Sequence, residues 1–123
     1  MGNNDATFQI RSKVWIEDTE GKVIFGLGRL KILEAIDRCG SLNAAAKELK
    51  MSYRGLWGKI KTTEESLGKS LLTKKTGGSS GGGSQLTPLA RNLIDEFRKM
   101  HGHINWESDL FFDTIFAEAL EEE

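Results

Sequence analysis

Residues 40–61 constrain the fold more than any other stretch, because they read as two short helices joined by a tight turn. Ser41 is an N-cap whose hydroxyl can accept a bond from an orphan amide of the first turn. Leu42, Ala45, Ala46 and Leu49 then recur at helical spacing and give one apolar face. The small side chains of Ala44, Ala45 and Ala46 let a second helix approach closely. Met51 plugs the turn, and Ser52 caps the second helix. Gly55, Leu56, Ile60, Thr63 and Leu67 are expected on its inner face, with Gly68 as its stop.

That inner face leaves Tyr53, Arg54, Trp57 and Lys61 outside, three or four residues apart and so on one stripe. Arginine can donate two bonds to a guanine edge, and Ser or Tyr can bond phosphate or base. A helix N-terminus attracts phosphate by itself. Ser52, Tyr53, Arg54, Trp57 and Lys61 are therefore candidates for the major groove of duplex DNA. Ser41 and Asn43, at the start of the preceding helix, are candidates for phosphate. Gly55 and Gly58 each cost the helix about 1 kcal/mol relative to Ala. They imply close approach of a neighbouring helix or of DNA, or a simple weak spot. A solvated helix in an ordinary bundle has the same pattern, so the helix pair alone does not decide.

The chain beyond it narrows the choice. Leu71 to Thr76 is strand-like, Gly77 to Ser84 cannot be regular structure, and Gln85 to Thr87 is a return strand. Two strands and a basic-edged glycine loop form a wing. Lys74 and Lys75 at its base, with Gly77, Gly78, Ser79 and Ser80 in its loop, are candidates for the DNA backbone. A nucleotide-binding loop would need Gly-Lys-Ser/Thr after the glycines, which is missing. Upstream, Phe8, Ile10, Val14 and Ile16 alternate with polar residues, which predicts a half-buried strand. Val23 to Phe25 would pair with it across a polar turn as an N-terminal hairpin. Arg29 to Cys39 reads as a helix on Leu30, Leu33, Ile36 and Asp37, with Leu27 stapled in front and Gly40 as its stop. Thr87 and Pro88 open a last helix on Leu89, Leu93, Ile94, Phe97 and Met100. Gly102 is expected to bend or break it.

The segment after that glycine is apolar and aromatic. Phe111 and Phe112 are adjacent, so one face cannot hide both, whereas a partner helix can. Trp106, Leu110, Phe111, Phe112, Ile115, Phe116 and Leu120 are accordingly the candidate homodimer interface. Folding back on its own domain is the alternative. Residues 1–87 would form the DNA-binding part, and 88–123 the dimerisation region of the same domain.

Charge supports a polyanion partner once it is mapped. The net charge of −1 conceals seventeen Lys and Arg, all at or before Lys99, and an acidic end from Ile104 that has seven carboxylates and no base. Between Lys50 and Lys75 there are seven bases against Glu64 and Glu65. A hydrophobic content of 38% and a charged content of 28% fit one soluble globular domain. No apolar run reaches the roughly 20 residues of a membrane span. The N-terminus lacks signal-peptide features, and the single Cys39 fits a reducing cytoplasm and buried packing. His101 and His103 have no ligand partners at metal spacing, and no nucleophile–base set is visible. No metal, cofactor or catalysis is expected.

Gly40, Ser41, Leu42, Ala45, Ala46, Leu49, Met51, Ser52, Leu56, Ile60, Glu64, Leu67 and Gly68 together resemble the winged helix-turn-helix of LysR-type regulators. Met51-Ser52-Tyr53-Arg54 with Trp57, followed by Thr76-Gly77-Gly78, Gly81-Gly82-Gly83 and Leu86-Thr87, is more similar still to ModE-type molybdate-responsive regulators. The resemblance covers about Phe8 to Phe97. It implies a mainly α fold with small β: a winged helix-turn-helix with an N-terminal hairpin and a long C-terminal helix that pairs subunits. It further implies a sequence-specific, DNA-binding transcriptional regulator. ModE-type proteins carry molybdate-binding modules after this domain. The sequence is too short for one, so molybdate sensing is not expected to carry over. Two other readings remain: a protein-interaction module using the acidic aromatic C-terminus, and a sequence-independent DNA-binding protein.

Overall fold

Every turn that ends a helix in the centre of the chain is closed by local bonds. The computed structural model describes residues 8–75 and 83–121. Helix α1 (Leu27–Cys39) stops at Gly40, whose φ of 81° is left-handed and whose amide bonds the Ile36 carbonyl at 2.8 Å. Helix α2 (Leu42–Leu49) starts on Ser41, whose Oγ accepts the Ala44 amide at 3.1 Å. It ends on Lys50, the one non-glycine residue with positive φ among the described residues. Helix α3 (Tyr53–Leu67) starts on Ser52, which accepts the Gly55 amide at 2.9 Å, and stops at left-handed Gly68. The two serine caps and two glycine stops expected from sequence all form. Helix α1 begins at Leu27, two residues earlier than Arg29.

Two antiparallel strand pairs flank these helices. β1 (Ile16–Glu17) pairs with β2 (Val23–Phe25) through an irregular register, Ile16 opposite Phe25 and Glu17 opposite Val23. The turn between them is held by Asp18, whose Oδ1 accepts the amides of Glu20 and Lys22, each at 2.9 Å. The strand expected over Phe8–Ile16 is reduced to its last residue plus Glu17. Phe8 is 66% exposed, and residues 8–15 have no ladder, because β2 offers only three residues to pair with. The second pair is the wing: β3 (Leu72–Lys75) against β4 (Gly83–Leu86), with Lys74 opposite Ser84 and Lys75 opposite Gly83. Gly83 and Ser84 thus belong to a strand rather than to the loop. Gly77, Gly78, Ser79 and Ser80 lie outside the described residues.

Contacts group the chain into two units, Trp15–Phe97 and residues 1–14 with Arg98–Glu123. The first unit holds the core. Ile32, Leu33 and Ile36 of α1, Leu56 and Ile60 of α3, Phe25 of β2 and Leu71 are almost completely buried. Ala45 and Ala46 let α2 lie close on α1, as their small side chains predict. Ala90, Ile94 and Phe97 of helix α4 (Pro88–Phe111) complete it, Phe97 meeting Phe25 edge-on with ring centroids 5.2 Å apart. Asp37 departs from the expected apolar face: it is exposed and pairs with Arg91 at 2.9 Å. Cys39 is half-exposed rather than buried, its Sγ bonding the Glu48 carboxylate at 3.2 Å. The amide of Ser84 bonds the Gly40 carbonyl at 3.0 Å, tying the wing to the end of α1.

The second unit contains the rest of α4, a π-helical turn (Phe112–Phe116) and α5 (Ala117–Leu120). Gly102 does not break α4, which runs unbroken for 24 residues. One glycine costs about 1 kcal/mol, less than a helix of that length gains from its other positions. Met100 is exposed rather than on the buried face. Ser12 Oγ donates to Asn105 Oδ1, whose amide nitrogen lies 3.2 Å from His101 Nδ1.

Candidate nucleic-acid interface

The apolar side of α3 sets which side chains it displays. Leu56, Ile60 and Thr63 are buried to 1% exposure or less. Thr63 Oγ1 also donates to the Ile24 carbonyl at 2.7 Å, so the roll of the helix is fixed by a directional bond as well as by packing. Two expected inner residues differ. Gly55 is exposed, and Leu67 is 37% exposed because the last turn of α3 overruns the core.

With that roll, Tyr53, Arg54, Trp57 and Lys61 all face out. Tyr53 is 48% exposed and Trp57 38%, high for aromatic residues that a fold normally hides. Lys61 Nζ lies 5.4 Å from the centroid of the Trp57 ring, a cation–π contact that holds the cation along the stripe. Ser52 is exposed and Ser41 half-buried, and the hydroxyl oxygen of each accepts a capping bond. Each keeps its hydroxyl hydrogen to donate, which suits a phosphate. Asn43 is exposed in the first turn of α2, and Lys74 is exposed on β3.

The fold adds a cation that sequence spacing had no means of flagging. Arg29, in the first turn of α1, donates its Nε to the Lys59 carbonyl at 3.3 Å. Partial burial pulls its guanidinium below the usual arginine value. Arginine titrates so high that the group stays charged. Thirty residues separate the two partners, so only packing of α1 on α3 brings them together.

The matched span decides what this arrangement is. Residues 27–91, from α1 through the wing into α4, match the family described as bacterial regulatory helix-turn-helix protein, lysR family. The chain belongs to the LysR family. The capped helix pair and wing described above are the part of the chain that matches the family's regulatory helix-turn-helix. Among similar curated proteins is the molybdenum transport protein ModE of Azotobacter vinelandii, 36% identical over 93 residues, which cover 76% of this chain and 34% of that one. The transcriptional regulator ModE of Haemophilus influenzae is 39% identical over 66 residues, 54% of this chain and 26% of that one. The chain therefore spans about a quarter to a third of the length of these relatives. Among solved structures, a CbnR_DBD-DNA complex superposes with a TM-score of 0.54 at 24% identity, covering 69% of this chain and 92% of that one. A BenM_DBD/benA site 1 DNA complex gives 0.50 at 23%, covering 68% and 88%. These likenesses carry the LysR-type winged-helix fold.

The second unit displays a different surface. Trp106, Leu110, Phe111, Ile115, Phe116 and Leu120 are each 44–58% exposed, and Phe112 is half-buried. Phe112 and Phe116 stack with centroids 5.4 Å apart. Gln9, Ile10 and Arg11 line an open groove of about 430 Å³ with Ser108 and the aromatic residues of the π-helical turn. His103 sits 3.4 Å from Glu107. Among the described residues no three His, Cys, Asp or Glu gather in a group able to hold a metal, and no helix is long and apolar enough to cross a membrane.

Proposed function

We propose that this LysR-family chain binds a specific duplex DNA sequence as a homodimer, reading it with α3 and gripping its flanks with the wing. The observation that supports this reading is the outward stripe of α3. Arg54, Trp57 and a Lys61 held against Trp57 are exposed on the same helix whose Leu56, Ile60 and Thr63 are buried. A solvated helix has no use for two exposed aromatics in register with two cations. Arg54 donates to a base edge, while Tyr53, Ser52 and Lys61 clamp the groove walls. Ser41 and Asn43 bond phosphate from the start of α2. Lys74, Lys75 and the loop of Gly77, Gly78, Ser79 and Ser80 hold the flanking backbone. The similar structures of CbnR and BenM are complexes with DNA, which supports duplex DNA as the ligand class.

Homodimerisation rests on the second unit, where Trp106, Leu110, Phe111, Ile115, Phe116 and Leu120 are each 44–58% exposed in a single copy, and a cluster of exposed apolar side chains marks an interaction surface. Pairing two copies through it would set the spacing of two half-sites. The chain acts by binding and not by catalysis, in the cytoplasm where bacterial DNA lies. The Azotobacter vinelandii relative is named a molybdenum transport protein, and the chain covers 34% of it.

Selection of bound duplexes from a randomised pool by the full chain, paired with sedimentation, tests the reading. Enrichment of one two-fold motif by a dimer is expected. Uniform retention of all duplexes would make it a sequence-independent binder. Retention of none would leave a protein-interaction module.

A further inference from the structure

The two glycines inside α3 have different surroundings. A Cβ on Gly55 would lie 3.0 Å from Ser52 Oγ, the hydroxyl that caps the helix, so the cap would have to shift by a few tenths of an ångström to admit a side chain there. Among the described residues a Cβ on Gly58 would meet nothing within 4 Å. Its φ is not left-handed. None of the described residues requires glycine at this position, yet glycine weakens a helix interior. Gly28 and Gly102 are also open, so openness alone is not the argument. What distinguishes Gly58 is its place. It is two residues from both Leu56 and Ile60, hence about 200° around the helix from each buried side chain. It is four residues after Arg54 and three before Lys61, so it lies between the two cations of the stripe.

We propose that Gly58 is the point at which DNA comes closest to α3, and that its missing side chain determines specificity by letting the helix sink until Arg54 reaches the base edges. The inference rests on the DNA-reading function proposed above. Glycine is the residue that admits backbone against a ligand. A methyl group at the crest of the helix would act as a spacer, lifting Arg54 off the bases while leaving its charge near the phosphates.

The experiment measures Gly58→Ala, Arg54→Ala and the double variant, on a duplex selected from a randomised pool by the wild type and on an unselected duplex. Gly58→Ala should melt a few degrees higher than wild type, since Ala is the better helix former, which shows that it folds. It should lose about tenfold or more at the selected duplex and less than about twofold on the unselected one. Arg54→Ala should cost about tenfold in the wild type but less than about twofold beside Gly58→Ala, because the two act through one contact. A Gly58→Ala protein that binds the selected duplex within about twofold of wild type, with the full Arg54→Ala loss retained, overturns the proposal and leaves the DNA-reading function intact. A wild type that enriches no sequence overturns that function, and this inference with it.

Discussion

Thr63 Oγ1 bonds the Ile24 carbonyl oxygen at 2.7 Å inside the core, joining α3 to β2 across 39 residues of sequence. Thr63→Val keeps the shape and removes the donor, leaving that carbonyl unpaired in the core. The expected loss is about 1–3 kcal/mol of stability, read as a shift in the urea midpoint at unchanged slope. Thr63→Ser, which keeps the hydroxyl, should lose less. Equal losses from both would assign the effect to the methyl group instead of the bond.

Arg54 stands exposed on the outward side of the helix that this bond orients. Arg54→Ala should cost about 1–3 kcal/mol at the selected duplex and little on random DNA. Equal losses on both would make it a phosphate contact.

The wing separates Coulombic from sequence-dependent binding. Lys74 and Lys75 occupy consecutive positions of β3. Each phosphate contact adds roughly 0.9 to the slope of log affinity against log salt. Changing both to Ala should flatten that slope by up to about 2 without changing the preferred sequence. An unchanged slope in a salt titration would turn the wing away from DNA.

Ile115 and Phe116 are 58% and 53% exposed in a single copy of the chain. If a second copy covers them, Ile115→Asp with Phe116→Asp should give a monomer by sedimentation. Operator affinity should fall with it, because two half-sites are no longer bound together. A double variant that still sediments as a dimer places the interface elsewhere.

The Asp18 turn gives a pH dependence with a definite sign. Backbone amides, that of Lys22 foremost and then that of Glu20, hold its carboxyl below the ordinary 3.8. A carboxyl lowered in the folded state stabilises fully above its unfolded pKa, and the contribution is lost as pH falls through the folded value. The amide resonances of Glu20 and Lys22 should therefore titrate with a midpoint below 3.8. In Asp18→Asn that transition should vanish while the turn persists, since the amide oxygen still accepts.

By itself the sequence determined the elements whose bonds close within a few residues. Ser41 and Ser52 satisfy amides three positions on, and Gly40 and Gly68 supply left-handed stops, so α1, α2 and α3 were legible locally. The outward stripe was legible too, because 3.6-residue periodicity brings Tyr53, Arg54, Trp57 and Lys61 onto one stripe, with Arg54 and Lys61 turned away from Leu56 and Ile60. Tertiary structure decided whatever needed a distant partner. The alternation from Phe8 to Ile16 has the pattern of a strand, but a ladder forms only where a partner strand offers amides and carbonyls, and β2 offers three residues. Leu67 has the helical spacing of a core residue, but the core ends before it. The pairing of Arg29 with Lys59, of Arg91 with Asp37 and of Thr63 with Ile24 joins residues 30 to 54 apart. The surroundings of Gly58 were decided in the same way: only the packed structure shows that, among the described residues, none comes within 4 Å of where its Cβ would lie.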